Sequence, residues 1–244
     1  MNIKVYKDYY HIEGKKYDRV TAILDYFTPK SLLEWRDKVG VVEAKEKQKA
    51  GKADGTRVHT LTEQMDNGKY VKFTDYDTVS VKNCIEGYRR WKETEKPTIL
   101  AMEKVVFNDR LGIAGTFDRE LTNTLVDIKS SNQISRTAWL QLAIYNYMMD
   151  KPKDKLAVLR LDKMTSEYEY KAIQYDVRLA DVYIGLLNYY RFVTYKADKK
   201  AKGDSNGDYI TNGKITGGLG VFQTEVFDTG GFQDWQERVF GTGR

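Results

Sequence analysis

The spacing of apolar and polar positions divides the chain into a helical front, a strand-rich middle and a glycine-rich end. Over residues 1–20 the segment YYHIEGKKYDRV alternates about Glu13-Gly14, a turn pair, and predicts a hairpin. Val20–Phe27 is a short apolar run of helical character, and Pro29 can open a second helix through SLLEWRDKVG. Residues 43–54, EAKEKQKAGKAD, lack an apolar stripe and read as a solvated charged stretch. GTRVHTLTEQM then predicts a helix with Thr56 as its N-cap. Thr78–Glu95 carries Cys84, Tyr88 and Trp91 on an amphipathic pattern and stops ahead of Pro97, because a residue before proline disfavours helix.

The pattern then shortens. Residues 98–107, 112–121 and 124–130 are three apolar segments separated by Asn108-Asp109 and Thr122-Asn123, which predicts an antiparallel meander. SRTAWLQLAIYNYMMD, 135–150, reads as a strongly apolar helix, 154–162 and 168–175 as two further strands, and 177–197 as a last helix. This order predicts an α/β fold with a mixed central sheet flanked by helices. Ten of the 19 glycines fall in residues 203–243, beside Tyr209, Phe222, Phe227, Phe232, Trp235 and Phe240, unlike a plain linker. We therefore expect a domain over 1–202, with its core at about 55–197, and an extension over 203–244. The extension is expected to dock on a protein partner, a second copy or its own core.

Composition narrows the function. At 244 residues and 41% hydrophobic content the chain can bury one sizeable core. A net charge of +5, from 40 basic and 35 acidic residues, permits nucleic-acid binding without demanding it. The single cysteine, Cys84, excludes an internal disulfide framework and a cysteine-held zinc or iron–sulfur site. No apolar run approaches the ~18 residues of a membrane span, and MNIKVYKDYY lacks a signal-peptide core, so a cytoplasmic setting is expected. The phosphate-loop pattern G-x-x-x-x-G-K-[ST] is absent, so nothing suggests an ATP-driven motor.

Charges in apolar segments point to chemistry. In GTFDRELTNTLVDIKSS, 115–131, Asp127 and Lys129 flank Ile128 and share one face of a strand, with Cα atoms about 6.6 Å apart. If 112–121 and 124–130 pair, Asp118 lies beside Asp127. Adjacent carboxylates repel each other and lose hydration, and a divalent cation removes both problems. Mg²⁺ suits one or two carboxylates completed by water and substrate phosphate. Lys129 would hold the attacking water or offset phosphate charge. The opposing interpretation is a pair of ion-paired surface strands, since D-x-K is short and common. His59 and Glu63 share a helix face, and imidazole is a common metal ligand, although a helix-face histidine needs no such role. Gln141 is the one clearly polar residue of AWLQLAIY and stands four before Tyr145. A buried amide there needs a partner, which is a substrate, a metal-bound water or the core itself. Glu103 either points to the same site or pairs with a surface lysine. Arg57 and Arg136 join Lys129 as candidate phosphate-binding cations.

Together, Gly55-Thr56-x-x-His59, Gly115-x-x-Asp118, Asp127-Ile128-Lys129 and Gln141-x-x-x-Tyr145 resemble the RecB-type branch of the PD-(D/E)XK nuclease superfamily. The likeness is to stand-alone phage exonucleases and related mitochondrial genome-maintenance exonucleases. YHIEGKKYDRVTAIL resembles the hairpin and helix that open many of these phage proteins, with Arg19 where they usually have serine. The resemblance covers roughly residues 5–195. It implies a restriction-endonuclease-like core and Mg²⁺- or Mn²⁺-dependent cleavage of DNA. It implies Asp118, Asp127 and Lys129 as the catalytic set. His59, Asp118, Asp127 and the Ile128 carbonyl would be metal ligands, and Gln141 and Tyr145 an accessory motif near the DNA strand. The iron–sulfur relatives use four cysteines, which this chain lacks. The expected activity is an exonuclease acting on DNA ends or single strands, in a bacterial or phage-infected cell. The alternative is a nuclease-like fold serving as a DNA-binding or structural component of a larger assembly such as a phage particle. Two retained carboxylates and a lysine argue against that alternative.

Overall fold

The structure is a computed structural model and describes residues 1–27 and 30–194. In chain order it contains β1 (Ile3–Val5), β2 (Tyr9–Ile12), β3 (Lys15–Arg19), α1 (Val20–Tyr26), α2 (Lys30–Val39), α3 (Val41–Asp66) and α4 (Val79–Glu95). There follow β4 (Ile99–Asn108), β5 (Ile113–Leu121), β6 (Thr124–Lys129), α5 (Arg136–Tyr147), β7 (Lys155–Leu161), β8 (Tyr168–Gln174) and α6 (Val177–Thr194). The α/β class and the β4–β5–β6 meander agree with the sequence pattern. The N-terminal hairpin turns at Glu13 (φ 47°) and Gly14 (φ 81°), the two positive φ angles that a tight hairpin turn requires. The expected 203–244 extension, Pro29 and the end of the 177–197 helix lie outside the described residues. Among the described residues no helix is long and apolar enough to cross a membrane.

Two expectations change. Residues 43–54 are solvated, as the charged pattern predicts, but they are also helical and form the first half of α3, which runs unbroken to Asp66. Alanine, glutamate, lysine and glutamine are strong helix formers, and the buried Ala44 anchors the stretch although its other faces are wet. Thr56 is consequently mid-helix, not an N-cap, and its hydroxyl donates to the Lys52 carbonyl at 3.0 Å. A third N-terminal strand, β1, also pairs with β2, from Ile3↔Ile12 to Val5↔Tyr10.

The eight strands form one mixed sheet in the order β1-β2-β3-β5-β6-β7-β8, with β4 added to β5. β4 runs antiparallel along one edge of β5. The other edge is shared. Its start pairs in parallel with β3 (Asp18↔Ile113, Arg19↔Ala114), and its end pairs antiparallel with β6 (Arg119↔Val126, Glu120↔Leu125). Between them, over Gly115–Asp118, that edge has no strand partner, so β3 and β6 diverge and leave a fork. α5 then carries the chain from β6 to the parallel β7.

One hydrophobic core lies on one side of β6–β8. Val58 and Leu61 of α3 and Ile85, Tyr88 and Trp91 of α4 pack on Val126, Ile128, Ala157 and Leu159. Each of the valine, leucine and isoleucine side chains contributes roughly 1.5–3 kcal/mol by leaving water. Alternation along β6 turns Asp127 the other way, under α5, where Gln141 meets it. α4 is capped by the Thr78 side chain, which accepts from Val81 N, and α5 by Ser135, which accepts from Ala138 N.

Candidate active site

The fork in β5 opens into a cleft of about 660 Å³. Asp118 stands at its base and is 7% exposed. Its Oδ2 accepts a hydrogen bond from the Ile128 backbone N–H at 2.6 Å, so the carboxylate supplies the contact that a strand partner would otherwise make. Asp127, 2% exposed, is the second carboxylate. Lys129 Nζ lies 2.9 Å from Asp127 Oδ1 and 2.8 Å from Oδ2. Gln141 Nε2 donates to Oδ1 at 3.0 Å, and Lys129 Nζ donates to Gln141 Oε1 at 3.3 Å. The three side chains thus close a ring, as the shared strand face of Asp127 and Lys129 predicts. Asp127 Oδ2 is buried, with the Lys129 ammonium as its ion-pair partner. Burial pushes the Asp127 carboxyl above the usual range, against the pull of Lys129. Burial works to lower Lys129, but Asp127 and Asp118 outweigh it and hold the ammonium charged.

The long α3 brings His59 to the same place. His59 Nδ1 is 3.6 Å from Asp118 Oδ1 and 3.7 Å from Glu103 Oε1. One ligand atom from each of His59, Glu103 and Asp118 lies within 4.8 Å of the others. The Asp118 charge, followed by Glu103, raises His59 to about 9 against the effect of burial. Glu103 reaches the site through an irregular backbone. Its φ is 46°, in the left-handed region that non-glycine residues rarely adopt, and the β4–β5 register passes from Met102↔Arg119 to Lys104↔Phe117 without pairing it. Such outliers concentrate where a side chain must be aimed.

Gly115 and Tyr145 explain each other. A Cβ on Gly115 would sit 2.2 Å from Tyr145 Cε1, so only glycine lets the buried ring lie across β5 and line the cleft. Gly51 and Gly55, one turn apart on α3, also border the cleft, and a Cβ on Gly51 would meet nothing within 4 Å.

Of the residues singled out in the sequence, His59, Glu103, Asp118, Asp127, Ile128, Lys129, Gln141 and Tyr145 line this one cleft. Three others do not. Arg57 directs Nε and Nη2 at the buried Asp77, so it fastens the loop after α3 and lies outside the cleft lining. Arg136 opens α5 as an exposed residue, and Glu63 is half-buried one turn beyond His59; both are outside the cleft lining. Sequence reasoning missed three cations that do line it, Arg19, Lys52 and Lys163. Arg19 is held by Thr21 Oγ1 at 3.0 Å and by the Tyr6 carbonyl at 3.2 Å. Lys52 is seven residues before His59, two helical turns, and shares its face once 43–54 is helix. Lys163 follows β7 in a loop tied to Asn83 Nδ2 through its carbonyl, and no pattern in the sequence marks it.

No protein-family model and no curated protein matches the chain. Solved structures do. An alkaline exonuclease from Laribacter hongkongensis is 10% identical, with a TM-score of 0.42, and the overlap covers 72% of this chain and 86% of that one. The same exonuclease in complex with dAMP gives 11% identity and a TM-score of 0.37 over 72% and 87% of the two chains. A phage-related exonuclease from Haemophilus somnus is 14% identical, with a TM-score of 0.37 over 72% and 93%. These overlaps are loose, and the functional conclusion rests on the geometry of the cleft.

Proposed function

We propose that the protein is a divalent-metal-dependent deoxyribonuclease, an exonuclease acting on DNA ends or single strands. The observation that carries this is the convergence of His59, Glu103 and Asp118 beside the buried Asp127–Lys129 pair. The residues fit a hard cation. Two carboxylates and an imidazole face one point, a donor set that suits a hard cation. His59, Asp118 and Glu103 would hold Mg²⁺ or Mn²⁺, with Asp127 and the Ile128 carbonyl as the neighbouring oxygens. When bound, such a cation lowers the pKa of its water and offsets charge on the phosphate.

The chain supplies the rest. Lys129, kept charged by Asp127 and Asp118, sits where it can orient the attacking water and balance the charge of a pentavalent phosphorus. Gln141 keeps Lys129 and Asp127 in register. Arg19, Lys52 and Lys163 draw the phosphate backbone into the cleft, and the bare stretch of α3 at Gly51 and Gly55 lets it approach closely. His59 must give up its proton to bind metal, so metal affinity rises with pH.

The test uses DNA labelled at either end, linear and circular, with Mg²⁺ or Mn²⁺. Linear DNA should shorten progressively from an end, circles should survive, and EDTA should stop the reaction. DNA binding with no cleavage in either metal would instead support a DNA-binding component of a larger assembly.

A further inference from the structure

Arg119 is the largest charged side chain in the core and is 0% exposed. Nothing in the chemistry above uses it. A buried guanidinium has to be matched by acceptors, and where those acceptors lie shows what it organises. Nε donates to Asp66 Oδ2 at 2.6 Å. Nη1 donates to Glu103 Oε1 at 3.0 Å and to the Asp118 carbonyl at 2.7 Å. Nη2 donates to Thr62 Oγ1 at 3.1 Å, and the Thr62 hydroxyl in turn donates to the His59 carbonyl at 3.0 Å. Every member of the His59–Glu103–Asp118 cluster is therefore tied to this one group. Glu103 is held by its carboxylate, Asp118 by its backbone, and His59 through Thr62.

We infer that Arg119 is a positioning residue that assembles the metal-binding cluster, an inference that rests on the nuclease proposal. Three features support it. Asp66 neutralises the guanidinium from within the protein, and Asp66 itself takes Lys92 Nζ at 2.8 Å and the Tyr88 hydroxyl at 2.7 Å. Arg119 is thus anchored on the side away from the cleft, and its remaining donors are free to point at the site. Next, Thr62 and Asp66 are four residues apart on α3, and His59 precedes Thr62 by three, so all three share the helix face that meets β5. A fork that grips two points of that face fixes both the rotation and the axial position of α3, and with them His59. Finally, Glu103 occupies a left-handed backbone conformation inside a strand. That conformation persists only where surrounding contacts over-determine it, and Arg119 supplies a charged one. Lysine could keep the charge opposite Asp66, but one ammonium cannot span four acceptors in these directions.

The test compares Mn²⁺ affinity by calorimetry for wild type, Arg119→Lys and Lys92→Met, each checked for folding by circular dichroism. Both variants weaken the contacts to Asp66 and lose stability, but only Arg119 touches the cluster. Arg119→Lys should bind Mn²⁺ about 10- to 100-fold more weakly, the usual effect of losing an outer partner of metal ligands. Lys92→Met should bind as wild type does. If Arg119→Lys does not fold, the isosteric Thr62→Val, which removes the hydroxyl between Arg119 Nη2 and the His59 carbonyl and leaves the bonds to Glu103 and Asp118, should weaken Mn²⁺ binding severalfold. Unchanged affinity in the folded Arg119→Lys or Thr62→Val variant overturns the inference, as does equal weakening in Lys92→Met. In those cases the metal site itself stands. Absence of Mn²⁺ binding by wild type overturns the nuclease proposal and this inference together.

Discussion

Replacing Gly115 by alanine tests how closely the fork is packed. The new methyl would lie 2.2 Å from Tyr145 Cε1, 2.7 Å from Cζ and 2.8 Å from the hydroxyl oxygen. Ordinary carbon contacts begin near ~3.5 Å, so the ring would have to retreat by about 1.3 Å. Tyr145 is 3% exposed, in the last turn of α5 among buried neighbours, so the ring has no open path into solvent. Overpacking of this kind costs roughly 1–3 kcal/mol. The backbone at Gly115 is not left-handed, so alanine introduces no strain of its own and stiffens the unfolded chain, a gain of about 0.4–1 kcal/mol. The net expectation is a loss of about 1–2 kcal/mol, read from the urea midpoint at unchanged slope. Displacing Tyr145 and, with it, Gln141 by about 1 Å should also slow DNA cleavage on the order of a hundredfold. The cause is isolated by a double-mutant cycle. In a Tyr145→Ala background the methyl has room, so Gly115→Ala should become neutral or stabilising, with a coupling of about 1–3 kcal/mol. Equal losses in both backgrounds, or a Gly115→Ala protein as stable and active as wild type, would refute the clash.

Other consequences are independent of that contact. Lys129→Met should abolish cleavage and destabilise the fold by less than the ~3–5 kcal/mol of a fully buried broken pair, because Lys129 is 30% exposed; a folded variant that cuts DNA normally removes Lys129 from the mechanism. Hydrogen bonds from Arg57, and then from Thr74, hold the Asp77 carboxyl well below the usual range despite its burial. Its stabilising contribution is therefore present above the unfolded pKa of about 3.9 and fades as pH falls toward the lower folded value. The stability gap between wild type and Asp77→Asn should be full at pH 7 and close only in strong acid, and a gap independent of pH down to unfolding would contradict the Arg57 assignment. Lys52→Ala and Lys163→Ala should each weaken DNA binding for all sequences alike and lower the log–log salt slope by about 1, whereas an unchanged slope would place the backbone elsewhere.

How far the sequence revealed this site depended on the range of the interactions. Asp118, Asp127 and Lys129 stood out because a meander of short apolar segments carried charges at positions that alternation buries. Gln141 and Tyr145 stood out for the matching reason on a helix. What escaped was set by contacts distant in sequence. The charged residues 43–54 looked solvated, yet their intrinsic preference is helical, and Lys52 and His59 fall on one face only when that helix is continuous. The ion pair of Arg57 with Asp77, 20 residues on, was equally invisible in the sequence. The aim of Glu103 depends on a local left-handed turn of a strand, which glycine would have advertised and glutamate did not. Arg119, inside the most informative stretch of the chain, was masked because a single arginine in a strand signals nothing until its four acceptors are placed.

The central claim, that His59, Glu103 and Asp118 form a metal-dependent cleavage centre, is tested most directly by Asp118→Asn. The amide keeps an oxygen that can accept from Ile128 N–H, so the fork should remain closed and the protein folded. It removes one negative charge from the point where the three ligands meet. The measurement is the rate of Mg²⁺-dependent cleavage of end-labelled linear DNA by the purified, folded variant beside wild type. The account predicts cleavage by wild type that EDTA abolishes, and no product from Asp118→Asn above the EDTA control. Cleavage by the folded variant at the wild-type rate would contradict it.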